Sequence, residues 1–184
     1  MRVVAGSAGG LRLVTPPGTD TRPTSDRVRE ATFNALASHD ALEGATVVDL
    51  FAGSGAMGIE ALSRGAKHAT FVERDRAALH SIAQNLRGTG FDRQATVMAT
   101  DAVGFAAGVR EPYDLAICDP PYAFAGWDTL LAVLPARMAV LESDRELVLG
   151  HDWVVVRAKR YGSTVVTIVR RRDDCREDHV ETPP

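Results

Sequence analysis

The run Thr46-Val-Val-Asp49-Leu-Phe51-Ala-Gly53-Ser-Gly55-Ala-Met-Gly58 constrains this chain more than any other stretch. It begins as a short apolar strand and breaks into glycines. It then continues as an apolar helix from Met57 to Arg64, stopped at Gly65. Gly53, Gly55 and Gly58 satisfy the G-x-G-x-x-G spacing. Glycine permits the tight turn and lets backbone N–H groups approach a ligand. Ala69-Thr-Phe-Val72 reads as the next strand. Glu73 ends it, about 20 residues past the first glycine, where an acid accepts hydrogen bonds from ribose hydroxyls. To this point a nicotinamide dinucleotide fits as well as an adenosyl cofactor.

Asp49 tilts that choice. It lies inside the strand, just ahead of the glycines. A carboxylate there repels a pyrophosphate but suits the ammonium of a methionine moiety and a positive sulfonium, which favours S-adenosylmethionine over NAD. Asp101 follows the strand Ala95-Thr-Val-Met98. It can reach an adenine amine or cap the helix that starts at Ala102, and the two roles are compatible.

The remaining pattern alternates strand and helix. Met1 to Val14 reads as two short strands around the turn Gly6-Ser-Ala-Gly-Gly10. A lone hairpin is marginal in water, so it must pack on the main body or a partner. A helix is expected from near Pro23, with Val28, Ala31, Ala35 and Leu36 as its apolar stripe. Further helices are expected at Asp75–Arg87, through Phe105, and over Trp127–Ala139. Further strands are expected at Tyr113–Cys118 and Glu146–Leu149, then an antiparallel pair at Trp153–Ala158 and Thr164–Arg170. Short apolar strands alternating with helices mean an α/β fold with a mostly parallel sheet covered on both faces.

At the end of the strand that closes at Cys118 stands Asp119-Pro120-Pro121-Tyr122. Ligands of open parallel sheets bind at the carboxyl ends of strands. Proline at 120 biases Asp119 to an extended conformation, and consecutive prolines stiffen the corner. The Asp119 side chain and the Pro120 carbonyl can accept the two N–H bonds of an exocyclic amine. Tyr122 offers a face for a stacked base. Such an amine is a poor nucleophile because its lone pair is delocalised into the ring. Holding it still and polarising it supplies the rate. Its proton leaves after methyl transfer, when it is acidic, so no strong base is needed.

The net charge of -3 over 184 residues argues weakly against nucleic acid, but its distribution matters more. Acids gather at Asp173, Asp174, Glu177, Asp178 and Glu181, in a segment expected to be disordered. Basic residues gather at Arg2, Arg12, Arg22, Arg27 and Arg29, and again at Arg157, Lys159, Arg160 and Arg170–Arg172. A basic face on an acidic protein is therefore possible. Two cysteines with no framework fit a reducing cytoplasm, no Cys/His cluster has zinc spacing, and no apolar run reaches membrane length. The N-terminus does not read as a secretory signal.

These motifs resemble the class I S-adenosylmethionine-dependent methyltransferases. Arg2-Val-Val-Ala-Gly6, Gly10-Leu-Arg-Leu13, Arg22-Pro-Thr-Ser-Asp-Arg-Val-Arg-Glu30 and Phe33-Asn34 resemble, within that class, the RsmD family. The resemblance runs from Met1 to about Arg171. It implies a Rossmann-like, seven-stranded, mostly parallel sheet with an antiparallel C-terminal strand and a small N-terminal β-hairpin. It implies transfer of a methyl group to the exocyclic N2 amine of a guanine in 16S rRNA, presented by the small ribosomal subunit. It implies cofactor roles for Asp49, Phe51, Gly53 and Gly55, for Glu73 at the ribose and Asp101 at the adenine. It also implies that Arg22, Pro23 and Thr24 close over the cofactor end. Asp119, Pro120 and Tyr122 are the implied catalytic residues, with Pro121 and Tyr122 against the substrate. The family usually carries a basic residue in the first turn; here Ala8, Gly9 and Gly10 stand there, and Arg12 takes its place toward RNA.

The expected layout is a hairpin and linker over 1–20, a methyltransferase domain over 21–172 and a tail over 173–184. The expected state is a cytoplasmic monomer without metal. Competing readings are a DNA adenine or cytosine amino-methyltransferase, a protein-glutamine methyltransferase and a non-catalytic RNA-binding module of ribosome assembly. Trp127, Trp153 and Phe124 are expected to pack in the core, and the five histidines at the surface or in packing roles.

Overall fold

Strand and helix alternate through a computed structural model that describes residues 1–17 and 26–172. In chain order the elements are α1 (Asp26–Ala37), β1 (Thr46–Leu50), α2 (Ala56–Ser63), β2 (His68–Glu73), α3 (Arg76–Thr89), β3 (Ala95–Ala99), α4 (Ala102–Gly108), β4 (Tyr113–Cys118), α5 (Trp127–Val133), β5 (Ala136–Ser143), β6 (Trp153–Tyr161) and β7 (Thr164–Arg171). The seven strands form one sheet in the order β3-β2-β1-β4-β5-β7-β6. The first five run parallel, and β7 runs antiparallel to both β5 and β6. Strand order reverses between β1 and β4, which opens a crevice at their carboxyl ends.

Both faces of the sheet are covered, and β1 shows how. Val47 points to one core with Phe33, Ile59, Phe71 and Ile82, contributed by α1, α2, β2 and α3. Val48 and Leu50 point to the other, with Ala106, Leu130 and Leu141 from α4, α5 and β5. The period of two along a strand therefore carries apolar residues to both sides, as a buried parallel sheet requires.

One stretch departs from the sequence expectation. The helix expected over Trp127–Ala139 stops at Val133, and Ala136–Ser143 is a strand. The residue before a proline is pushed out of the helical region, and Leu134, ahead of Pro135, is extended at φ -61 and ψ 114. Ala, Met, Leu and Glu favour helix by propensity. Yet all of β5 but Arg137 is buried between β4 and β7, and tertiary burial overrides a weak preference. The strand expected at Glu146–Leu149 is consequently loop, with Val148 exposed.

The N-terminal hairpin is reduced to a single bridge, Arg2 to Arg12, rather than two strands. Val3, Gly10 and Leu13 donate to carbonyls within the arm, and other amides go to the body. Val4 and Ala5 donate to the Glu60 carboxylate at 2.7 and 3.1 Å, and Ala8 donates to Ser63 Oγ at 2.9 Å. Gly6 makes that approach possible: a Cβ there would sit 1.8 Å from the Ser63 carbonyl oxygen. Asn85 on α3 completes the clasp, accepting from Val14 N and donating to the carbonyls of Val14 and Ser54.

Glu60 is fully buried and pairs with Arg64 at 2.7 Å and with the buried Arg29 at 3.7 Å. Arg29 also donates to the Arg2 carbonyl and to Asp26. The buried face of α1 is thus Arg29, Thr32, Phe33, Ala35 and Leu36; Val28 and Ala31 are only half-buried. The α1 start expected near Pro23 and the tail over 173–184 lie outside the described residues.

Glu60→Ala removes the acceptor of two backbone amides, takes from Arg64 its carboxylate partner and leaves the buried Arg29 with Asp26 alone. It should lower stability by about 3–5 kcal/mol. Urea unfolding followed by circular dichroism checks this, with Glu60→Gln expected to lose less.

Candidate active site

Three carboxylates meet at the carboxyl edge of the sheet. Asp49 sits on β1 one residue before its end, Glu73 ends β2, and Asp119 follows the last residue of β4. Leu50 pairs with Val72 on one side and Cys118 on the other, so all three acids fall near one level of the sheet. Asp49 is 2 % exposed, and its Oδ2 accepts from Gly58 N at 2.8 Å. That bond satisfies an amide in the first turn of α2, a helix whose N-cap, Gly55, has no side chain to do so.

Burial holds the Asp49 carboxyl well above the usual carboxylate range. The Gly58 N–H pulls it down, while the charges of Asp119 and Glu73 push it further up. The same burial raises the Cys118 thiol.

Glu73 fixes the glycine loop. Its Oε2 accepts from Gly53 N at 2.9 Å, and its Oε1 accepts from the amides of Arg74 and Asp75 at 2.7 and 2.8 Å. Gly53 and Gly55 both hold positive φ, 56° and 77°, which side chains resist. Phe51 does so without being glycine, at φ 64°. Its ring meets Phe124 edge-on at 5.1 Å, and Phe124 meets Trp127 at 5.6 Å, making an aromatic wall beside the loop. Gly58 serves packing, not ligand approach: a Cβ there would lie 2.4 Å from the Phe71 ring.

Asp101 is the N-cap of α4, accepting from Gly104 N at 2.7 Å; the capping reading holds. In the Asp-Pro-Pro-Tyr corner, Asp119 is half-buried, Pro120 buried and Pro121 exposed. Tyr122 is 49 % exposed, so its ring faces solvent. Its hydroxyl lies 3.1 Å from Thr164 Oγ1, at the start of β7, a partner the sequence did not suggest. Arg12 is exposed on the N-terminal arm. Arg22 and Thr24 lie outside the described residues. A separate open cavity of ≈ 590 Å³, lined by Glu43, Ser63, Lys67 and Gln94 among others, sits at the amino edge, away from these groups.

The sheet order with one reversed strand and the glycine loop at its switch point define a Rossmann-like class I methyltransferase fold. The chain is similar in fold to a magnesium protoporphyrin IX methyltransferase from Synechocystis PCC 6803, with a TM-score of 0.62 at 16% identity, covering 79% of this chain and 78% of that one. Residues 1–170 match the family described as Conserved hypothetical protein 95, and the chain belongs to it. It is 39% identical over 185 residues to "Putative rRNA methyltransferase YlbH" of Bacillus subtilis, covering 94% of this chain and 100% of that one. It is 35% identical over 161 residues to ribosomal RNA small subunit methyltransferase D of Escherichia coli K12, covering 88% of this chain and 73% of that protein. Among solved structures, the Escherichia coli chain described as "Putative methyltransferase yhhF" superposes with a TM-score of 0.82 at 33% identity, covering 93% and 97% of the two chains. The resemblance to the RsmD family thus holds.

The raised Asp49 group carries a sign. The folded protein holds a proton that the unfolded chain releases near pH 4. Its contribution therefore falls as pH rises from there through the raised folded value. Asp49→Asn keeps an oxygen for Gly58 N–H without the charge. The ligand-free variant should have a higher Tm than wild type at pH 7–8 and a flatter Tm–pH curve, read by thermal melts across pH.

Proposed function

We propose that the chain transfers a methyl group from S-adenosylmethionine to the exocyclic N2 amine of a guanine in 16S rRNA, presented by the small ribosomal subunit. The observation that carries this reading is the convergence of Asp49, Glu73 and Asp119 around the glycine loop. A buried acid raised further by two neighbouring acids calls for a cationic ligand. The printed names of the Bacillus and Escherichia coli relatives supply the RNA side.

The chemistry that S-adenosylmethionine supplies when bound is an electrophilic methyl group on a positively charged sulfur. The protein's part is electrostatic and positional. The Gly53–Gly55 backbone gives room at the loop, and Phe51 helps enclose the cofactor. Asp49 faces its cationic end, and Asp101 stands by for the adenine amine while capping α4. Glu73 already anchors Gly53 through Oε2, and the remaining lone pair of that oxygen is available to a ribose hydroxyl.

At the corner, Asp119 and the Pro120 carbonyl accept the two N–H bonds of the guanine amine and turn its lone pair outward. Tyr122 and Pro121 supply the face on which an everted base lies. S-Adenosylmethionine held at the glycine loop would supply its methyl group to that lone pair. The surplus amine proton then leaves to water. Arg12, exposed on the arm clasped to α2, is the residue we assign to a phosphate.

Asp119→Ala should lower kcat at least about 100-fold, the scale seen when one preorganised polar group is lost. S-Adenosylmethionine affinity by calorimetry should stay within a few-fold. Labelled methyl transfer to small subunits lacking the modification reads the first. An equal loss of cofactor affinity would move Asp119 from the catalytic to a structural role.

A further inference from the structure

The outermost strand, β6, exposes Val155, Arg157, Ala158, Lys159 and Arg160. Three of these five are cations and none is an anion. Many other arginines are tied to acids: Arg2 and Arg29 to Asp26, Arg64 to Glu60, Arg145 to Asp144 and Arg171 to Asp152. Arg157 and Arg160 make no hydrogen bond or ion pair with the described protein, and the Lys159 ammonium rests over the Tyr161 ring at 5.2 Å.

Topology aims this group. β6 ends at Tyr161, which pairs with Thr164, the residue that meets the Tyr122 hydroxyl. The cations therefore lead along the sheet edge to Tyr161, which lies about one strand spacing, ~4.8 Å, from the residue that holds Tyr122. The other basic cluster goes elsewhere. Because β7 runs antiparallel to β5, Arg170 pairs with Met138 near the start of β5, at the opposite edge. Arg171 donates to the Leu134 carbonyl and stacks on Trp153, and Arg172 donates to the His151 carbonyl. The C-terminal basic residues are thus two groups, one on the part of β6 nearer the carboxyl edge and one at the opposite edge.

We propose that Arg157, Lys159 and Arg160 form a phosphate-binding track that seats the RNA strand beside Tyr122. This rests on the methyltransferase reading above. Charge on an edge strand also blocks pairing with another chain, but either sign serves that purpose. Three like charges without partners repel one another, and a phosphodiester backbone relieves that repulsion while releasing its counterions. The track also explains how a chain of net charge -3 holds a polyanion: the positive field is local.

The test combines Arg157→Gln, Lys159→Gln and Arg160→Gln. A control combines Lys67→Gln, Arg87→Gln and Arg93→Gln, the same change in net charge at exposed sites away from β6. Binding of small ribosomal subunits lacking the modification is measured by filter retention across salt. Methyl transfer to them and calorimetric S-adenosylmethionine binding are measured beside it. The β6 variant should bind subunits at least about tenfold more weakly near 0.1 M salt. Its slope of log affinity on log salt should be shallower by about 2–3, on the order of 0.7–0.9 per phosphate contact. Its cofactor affinity and urea midpoint should match wild type, and the control should bind subunits within about threefold of wild type. Equal binding by the β6 variant and the control would overturn the track. Loss of binding confined to the β6 variant, in a wild-type protein that transfers no methyl group, would keep the track and remove the methyltransferase reading instead.

Discussion

The hydrogen bond from Gly58 N to Asp49 Oδ2 organises the site. It ties the last turn of β1 to the first turn of α2 across a loop whose own residues cannot cap the helix. It also requires an acceptor where no water reaches, which brings a carboxylate into the interior. That carboxylate stands beside two others, and their repulsion persists until something positive arrives. One side chain meets the fold's need for a cap and, in the proposed reading, the site's need for a cation partner. An amide there would satisfy the helix and forfeit the charge.

Much of this was legible. A strand, a glycine loop and an apolar helix leave few alternatives, and Asp49 was readable as the odd polar residue in the strand. Asp119 to Tyr122 stood out because prolines directly after a buried strand leave a rigid corner. The boundaries after Trp127 were harder. β5 is composed of helix formers, and what makes it a strand is the neighbours on both sides, which no local window contains. Only Pro135 signalled the break. The buried Arg29–Glu60 pair was missed for a related reason: charge in a pattern reads as surface. One signal was present, since Glu60 is the lone acid in the otherwise apolar α2. The Thr164 contact to Tyr122 spans 42 positions and leaves no local trace.

The N-terminal arm shows how a segment too short to fold alone becomes part of a domain. Its own pairing is one bridge, but its amides borrow acceptors from α2 and α3. Glu60, Ser63 and Asn85 serve it instead of their own helices. Through the Asn85 bond to the Ser54 carbonyl, the arm is joined to the glycine loop as well. A disturbance at Val14 therefore reaches the glycine loop through two hydrogen bonds, not through the sheet.

The position of β7 carries a consequence for synthesis. Its two neighbours, β5 and β6, both precede it in the chain, yet it lies between them. As the chain leaves the ribosome, β5 waits with an open edge and β6 has no strand to pair with until residues 164–171 emerge. The five parallel strands and their helices can assemble first. Thr164 reaches Tyr122 only when that insertion is made. The nascent enzyme thus holds its glycine loop before it holds its aromatic face, and the corner matures last.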